Sequence, residues 1–200
     1  MATVRKAQKK AFSEPRPCLW TRKEYYRMGE MGLFQRKRVE LIEGEIIEMS
    51  PIQSSHATSV TLCDEALREV FHKGWVVRVQ NPLSLGENSD PEPDLAVVAG
   101  KTRDFTDAHP DTAALVIEVA DSSLAYDRKN KASLYAKAGI ADYWIVNLSS
   151  RQVEVHRRPV KAPEAPYGYA YAENLIFNAG DAVKPLAKPK SIIAVADLLP

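Results

Sequence analysis

Apolar and polar positions alternate along the chain in short blocks, each bounded by recognisable stop signals. Thr21 followed by Glu24 is a capping box, in which the hydroxyl accepts from the third backbone N–H of a helix and the carboxylate reaches back to the cap. It predicts a short helix over about 22–31. RVELIEGEIIEM predicts a hairpin over about 38–49, its two strands joined at Glu43-Gly44, where glycine supplies the positive φ a tight turn needs. Ser54 and Ser55 are candidate caps of a helix over about 55–72, with Val60, Leu67 and Val70 or Phe71 at helical spacing and His72-Lys73-Gly74 closing it. Trp75 to Gln80 reads as a strand, NPLSLGENSDPEP as turn chemistry, and Asp94 opens the apolar strand DLAVVAG.

After a polar loop over 101–111 comes the strand AALVIEVA, then a helix over about 128–138 capped by Asp127 and ended by Gly139. DYWIVNL and RQVEVHR form a second hairpin over 142–157, and beyond 158 prolines and YGYAYAENLIF suggest irregular chain with one or two edge strands. This order predicts a sheet packed by a few helices. With 200 residues it predicts one domain over 19–200, preceded by a basic, flexible arm over 1–18.

Composition narrows the class. No apolar run approaches the roughly eighteen residues of a membrane span, and the first residues lack the apolar stretch of a secretory signal, so the expectation is a cytoplasmic protein without a membrane partner. Cys18 and Cys63 are the two cysteines, too few and too far apart for a disulfide framework or a cysteine zinc site. The net charge of +1 hides a pattern: 11 basic against 3 acidic residues in 1–38, 5 against 17 in 39–127, and 11 against 6 in 128–200. An acidic middle between basic flanks suits a cation site beside a polyanion-binding surface, the alternative being a mixed, solvated surface.

Within LVIEVA, Glu118 is surrounded by apolar residues in a strand that reads as buried on both faces, where an isolated carboxylate is costly. Its partner is either an Arg or Lys in a structural ion pair or a chemical centre. Asp94 stands at the head of the preceding apolar strand, and if the two strands are neighbours the carboxylates converge. Two converging carboxylates suit a hard divalent cation such as Mg2+. At helical spacing from Asp127, the residues Lys131, Leu134, Tyr135 and Ala138 form one inward stripe headed by a cation; a snorkelling lysine is the competing reading. His56 and Glu45 are further candidates for the same centre. No H-x-x-H, H-E-x-x-H, Walker loop, G-x-G-x-x-G or G-x-S-x-G occurs, which removes the common zinc, nucleotide and serine-hydrolase readings.

The ordered set RVELIEGEIIEMSPIQSSH, PEPDLAVV, LVIEVADSS and YDRKNKASLYAKAGIADYWIVN, from about Val39 to Val155, resembles the Uma-two family of restriction endonucleases, a branch of the PD-(D/E)XK nuclease superfamily. The resemblance implies an α/β (α+β-like) fold, a mixed central β-sheet flanked by helices, with a restriction-endonuclease-like core and additional strands at both ends. It implies that Pro93-Asp94 is the PD element and Glu118 the (D/E) element, both holding Mg2+ or Mn2+ with the backbone carbonyl of Val119. Where the pattern wants lysine this chain has Ala120, and the family's shifted lysine aligns with Lys131. The family's hairpin glutamate, helix-opening histidine and late tyrosine fall on Glu45, His56 and Tyr135.

The activity implied is metal-assisted phosphodiester hydrolysis of nucleic acid, DNA before RNA, with homodimerisation suited to cutting a duplex. Two alternatives are a non-catalytic nucleic-acid-binding or protein-interaction domain that keeps the fold, and a hydrolase using the two acids without metal.

Overall fold

The computed structural model describes residues 15–200. The expected arm over 1–18 therefore falls largely outside the described residues, and 15–18 is exposed chain without regular structure.

The capping box forms as read. Thr21 Oγ accepts from the Glu24 N–H at 3.3 Å while the Thr21 N–H donates to Glu24 Oε2 at 2.9 Å, which starts α1 (Arg22–Glu30). The first hairpin follows, with β1 (Val39–Ile42) antiparallel to β2 (Glu45–Glu48). Its turn has φ of 49° at Glu43 and 86° at Gly44, the pair of left-handed residues that a two-residue turn needs. A Cβ on Gly44 would also lie 2.6 Å from Leu19 Cβ, so glycine is required twice over.

Six strands form the main sheet: β3 (Trp75–Val79), β4 (Leu95–Ala99), β5 (Leu115–Ala120), β6 (Asp142–Asn147), β7 (Gln152–Lys161) and β8 (Tyr169–Asn178), side by side in that order. All neighbours are antiparallel except β5 and β6, which run parallel, so the sheet is mixed as expected. The parallel pair needs a crossover, and the helical segment after β5 supplies it.

Strand alternation decides the two layers. Leu115, Ile117 and Val119 of β5 face α2 (Ser54–Val70) and its buried Val60, Cys63 and Leu67, while Val116 and Ala120 face the opposite layer of Leu134, Tyr135 and Ala136. Each of the Val, Leu and Ile side chains among these contributes about 1.5–3 kcal/mol on burial. Both faces of β5 are covered, which is why the strand reads as a continuous apolar run. The last residues close the first layer, with Ser59 Oγ donating to Leu198 O at 2.6 Å. A short ladder of β9 (Ala182–Val183) with β10 (Ile193–Ala194) lies beside it.

Three expectations are corrected. Gln53 occupies the N-cap position of α2 without a side-chain cap, and Ser54 and Ser55 lie inside the first turn. The helix after β5 begins earlier than read. It comprises α3 (Leu124–Tyr126), a π-helical turn over Asp127–Lys131, and α4 (Ala132–Lys137). Asp127 is therefore no cap: its carboxylate accepts from Ser123 Oγ at 2.5 Å, and its carbonyl accepts from the Ala132 N–H five residues on. Finally, the tyrosine-rich tail does supply the expected edge strand, β8, but as a regular ten-residue element rather than irregular chain, and its hairpin with β7 folds over α4. Ser133 ties this tip down, donating to Tyr169 O at 2.7 Å and accepting from the Tyr167 N–H at 3.0 Å.

Candidate active site

The register of β4 and β5 pairs Leu95 with Ile117, so one residue further on Asp94 stands opposite Glu118. The Asp94 N–H donates to Glu118 Oε2 at 3.2 Å, and Asp94 Oδ2 accepts from the Val119 N–H at 2.9 Å. The two carboxylates thus meet at the point where β4 stops and β5 continues. The N–H and C=O of one strand residue project to the same side, so the Val119 carbonyl points toward Asp94, whereas that of Ala120 turns to the β6 side and accepts from Leu148 N–H at 3.0 Å.

Glu118 is buried and its side chain faces the helical layer. Oε1 accepts from Tyr135 Oη at 2.7 Å and from Lys131 Nζ at 3.1 Å. Lys131 is 1% exposed and also donates to Glu40 Oε2 at 2.6 Å. It is therefore a buried cation held between two carboxylates, not a snorkelling one. Asp127 and Lys131, four residues apart across the π-turn, both face inward, while Arg128 and Lys129 stay exposed.

His56, in the first turn of α2, puts Nε2 3.0 Å from Asp94 Oδ2, and the Gln80 amide donates to Asp94 Oδ1 at 3.2 Å. Burial pushes the Asp94 carboxyl up, but the His56 hydrogen bond and charge, with the Val119 N–H and Gln80, outweigh it and hold it below its ordinary value. The same hydrogen bond raises His56 against the effect of burial. Glu118 goes the other way: burial pushes it up to about 8, with Lys131 opposing and Asp94, Asp127 and Glu40 adding to the rise. Asp127 is raised to about 6, chiefly by burial. Burial lowers Lys131, but Glu118 and Glu40 more than offset it and keep the ammonium charged.

These groups line a cleft of about 290 Å³ between the first hairpin, the start of α2 and the turn after β5. Glu40, Asp94, Glu118, Asp127, Lys131 and His56 all border it; Glu45 and Tyr135 do not. Glu45 is exposed at the turn end of β2. Tyr135 is fully buried behind Glu118, where it holds that carboxylate rather than facing the cleft.

Seven carboxyl side chains, Glu40, Glu48, Glu92, Asp94, Glu118, Asp121 and Asp127, line this cleft against Arg38, Lys131 and His56, an excess of acidic groups that a divalent cation would offset. Glu40 Oε1 is buried without a hydrogen-bond partner, as is His56 Nδ1. Among the described residues no three His, Cys, Asp or Glu side chains are grouped as a metal site. Two carboxylates with the Val119 carbonyl would suit an ion of the Mg2+ type that keeps several of its waters.

Residues 22–188 match the Uma2 family, described as "Putative restriction endonuclease". The chain belongs to the Uma2 family. No curated protein matches this Uma2 chain. A crystal structure of a "putative nuclease belonging to DUF820" from Anabaena variabilis ATCC 29413 is similar to it in fold, with a TM-score of 0.61 at 17% identity, covering 82% of this chain and 90% of that one. No described helix of the Uma2 chain is long and apolar enough to cross a membrane.

Sequence reasoning missed Glu40. Its signal was present, because VELI sets an acid among apolar neighbours much as LVIEVA does, and all four residues of β1 are buried.

Proposed function

We propose that this Uma2 protein is a metal-dependent nuclease that hydrolyses phosphodiester bonds of DNA. The observation that carries the reading is the convergence of Asp94, Glu118 and Lys131 on the floor of one cleft, from a strand start, a strand end and a helix. Asp94, Glu118 and the Val119 carbonyl would hold Mg2+ or Mn2+. When bound, the ion supplies a Lewis acid for the scissile phosphate and lowers the pKa of a water.

The protein's own groups do the rest. Lys131 offers a preorganised positive charge to the phosphate oxygens, and it is fixed by Glu40 so that little reorganisation is needed. His56 is a positioning residue that orients Asp94 through Nε2. Tyr135 is a positioning residue that keeps Glu118 aimed. The N-terminus of the seventeen-residue helix α2 opens on the cleft through Gln53 and His56, and its dipole favours an anionic phosphate there.

Ala120, in place of the strand lysine, was the support for a non-catalytic module. Lys131 Nζ at 3.1 Å from Glu118 brings a lysine to the same carboxylate from the helix, which favours the catalytic reading. A second copy is the assembly this function implies for cutting both strands of a duplex. The test is a titration of Mn2+, followed as bound metal, into the wild type and the Asp94→Ala, Glu118→Ala double variant. Saturable binding that the double variant loses is expected, followed by Mn2+-dependent cleavage of DNA. Equal binding by both proteins, or cleavage that survives exhaustive chelation, would overturn the assignment.

A further inference from the structure

Between α1 and β1 the chain forms a small hook outside the catalytic cleft. Residues 31–36 turn back on the helix, closed by the Leu33 N–H donating to Met28 O at 3.1 Å and the Lys37 N–H donating to Phe34 O at 3.0 Å. Phe34 anchors the hook, its ring 5.2 Å from that of Tyr25. Around this anchor Met31 and Leu33 stand 71% and 56% exposed, Met31 more so than any other large apolar side chain among the described residues. An ordered turn that holds two large apolar side chains side by side in water marks a contact surface.

Cations surround the two. Residues 15–38 carry seven Lys and Arg against two Glu, and Glu24 is committed to the capping box. Lys23, Arg27 and Met31, each four residues from the next, form one exposed stripe along α1. At that spacing Lys23 and Arg27 repel each other and weaken the helix, so the stripe does not serve helix formation. These two cations and Arg36 on the hook are exposed and, among the described residues, pair with no carboxylate. The hook also runs directly into the catalytic cleft. Lys37 pairs with Glu48 at 2.6 Å and Arg38 with Glu92 at 3.6 Å, and Arg38, Glu48 and Glu92 line that cleft. Arg36 is two residues from Arg38, a span of at most about 7 Å. A second copy fits this surface poorly, because a two-fold interface sets the patch against itself and brings like charges together. A polyanion that also offers flat apolar bases matches both parts of it.

We propose that the hook engages the minor groove of duplex DNA beside the cleft. Met31 and Leu33 wedge against a base step and part it, as apolar side chains do when they kink a duplex, while Lys23, Arg27 and Arg36 meet the flanking phosphates. DNA as the partner rests on the nuclease reading. The test uses the full chain and a short duplex carrying 2-aminopurine, whose fluorescence rises when its base is unstacked, in EDTA and in Ca2+. Wild-type protein should bind and raise the fluorescence. Met31→Ser with Leu33→Ser should keep most of the binding and lose the rise. Arg27→Ala with Arg36→Ala should lower the slope of log K against log salt by about 1.8 and weaken binding roughly sixtyfold at 0.1 M salt. Both variants should bind Mn2+ as the wild type does, since none of the four residues borders the cleft. Wild-type affinity and fluorescence in both variants would overturn the role of the hook and leave the nuclease reading standing. No wild-type binding of the duplex in either condition would overturn both. A dimer in sedimentation that Met31→Ser with Leu33→Ser breaks, with DNA binding unchanged, would overturn the role of the hook by giving the surface to a second copy.

Discussion

Replacing Lys131 with Met keeps an unbranched stem of similar reach and deletes the ammonium that joins Glu40 to Glu118. The side chains of the three residues are 2%, 1% and 7% exposed, with Nζ 2.6 Å and 3.1 Å from the two carboxylates. Removing one partner of a buried pair costs about 3–5 kcal/mol, because the other is left charged and unsolvated. One effect limits the loss. Glu118 sits near 8 even with Lys131 pulling it down, so it already holds a proton at neutral pH and adds no bare buried charge when the lysine is removed. The lower end, about 3 kcal/mol, is therefore expected, equivalent to a fall of roughly 6–12 °C in Tm for a chain of this size. A carboxyl raised in the folded state holds more protons folded than unfolded. The penalty on Glu118 thus grows as pH rises from the ordinary carboxylate range toward about 8 and beyond. Thermal and urea denaturation at pH 6 and pH 8 read both effects. Glu40→Gln in the Lys131→Met background should recover part of the loss, giving a coupling of at least about 1 kcal/mol between the two positions. A Lys131→Met protein within about 0.5 kcal/mol of wild type, or strictly additive behaviour of the pair, would refute the buried arrangement.

Tyr135→Phe removes one hydrogen bond to the buried Glu118 carboxyl, so a loss of about 1–3 kcal/mol in stability is expected, with weaker Mn2+ binding by calorimetry if Glu118 holds the ion. Gly44→Ala forces a Cβ into φ of +86° and to 2.6 Å from Leu19 Cβ, and should lower stability by more than the roughly 1–2 kcal/mol of a simple left-handed strain; a rise in Tm would exclude the turn described. Burial lowers His156, although Asn174 and Glu154 pull it up. The unfolded chain therefore binds a proton that the folded one resists, and stability should fall as pH drops below about 6.5. His156→Phe should flatten that acid-side slope in denaturation measured from pH 7 to pH 5.

The two acids were legible because each sits against an apolar run whose burial forces its carboxylate into a site, and β4 and β5 are sequential strands that pair directly. Lys131 was legible because Leu134 and Tyr135 mark the inward stripe of its helix. Glu45 was read into the centre because the hairpin carries four glutamates, Glu40, Glu43, Glu45 and Glu48, and the choice among them depends on which end of the hairpin meets the sheet. The π-turn was not legible, since one extra residue in a helical turn leaves no mark in propensity, and Asp127 has the residue type of a cap. The tail was underread for a related reason. Its small and aromatic residues have no helical partner in the sequence, and their role appears only when the β7–β8 tip lies over Ser133.

That strap gives the molecule a hierarchy of opening. The lysine of the candidate site is carried by a short helical segment, clamped from outside by the tip of a hairpin at one serine, whereas the two acids belong to strands in the middle of the sheet. A local fluctuation that lifts the hairpin tip would release the cation while the acids stay in place, so the candidate site would lose its lysine well before global unfolding. Amide exchange in the 131–137 segment would then be faster than in β5, and loss of activity on mild heating would precede loss of the sheet.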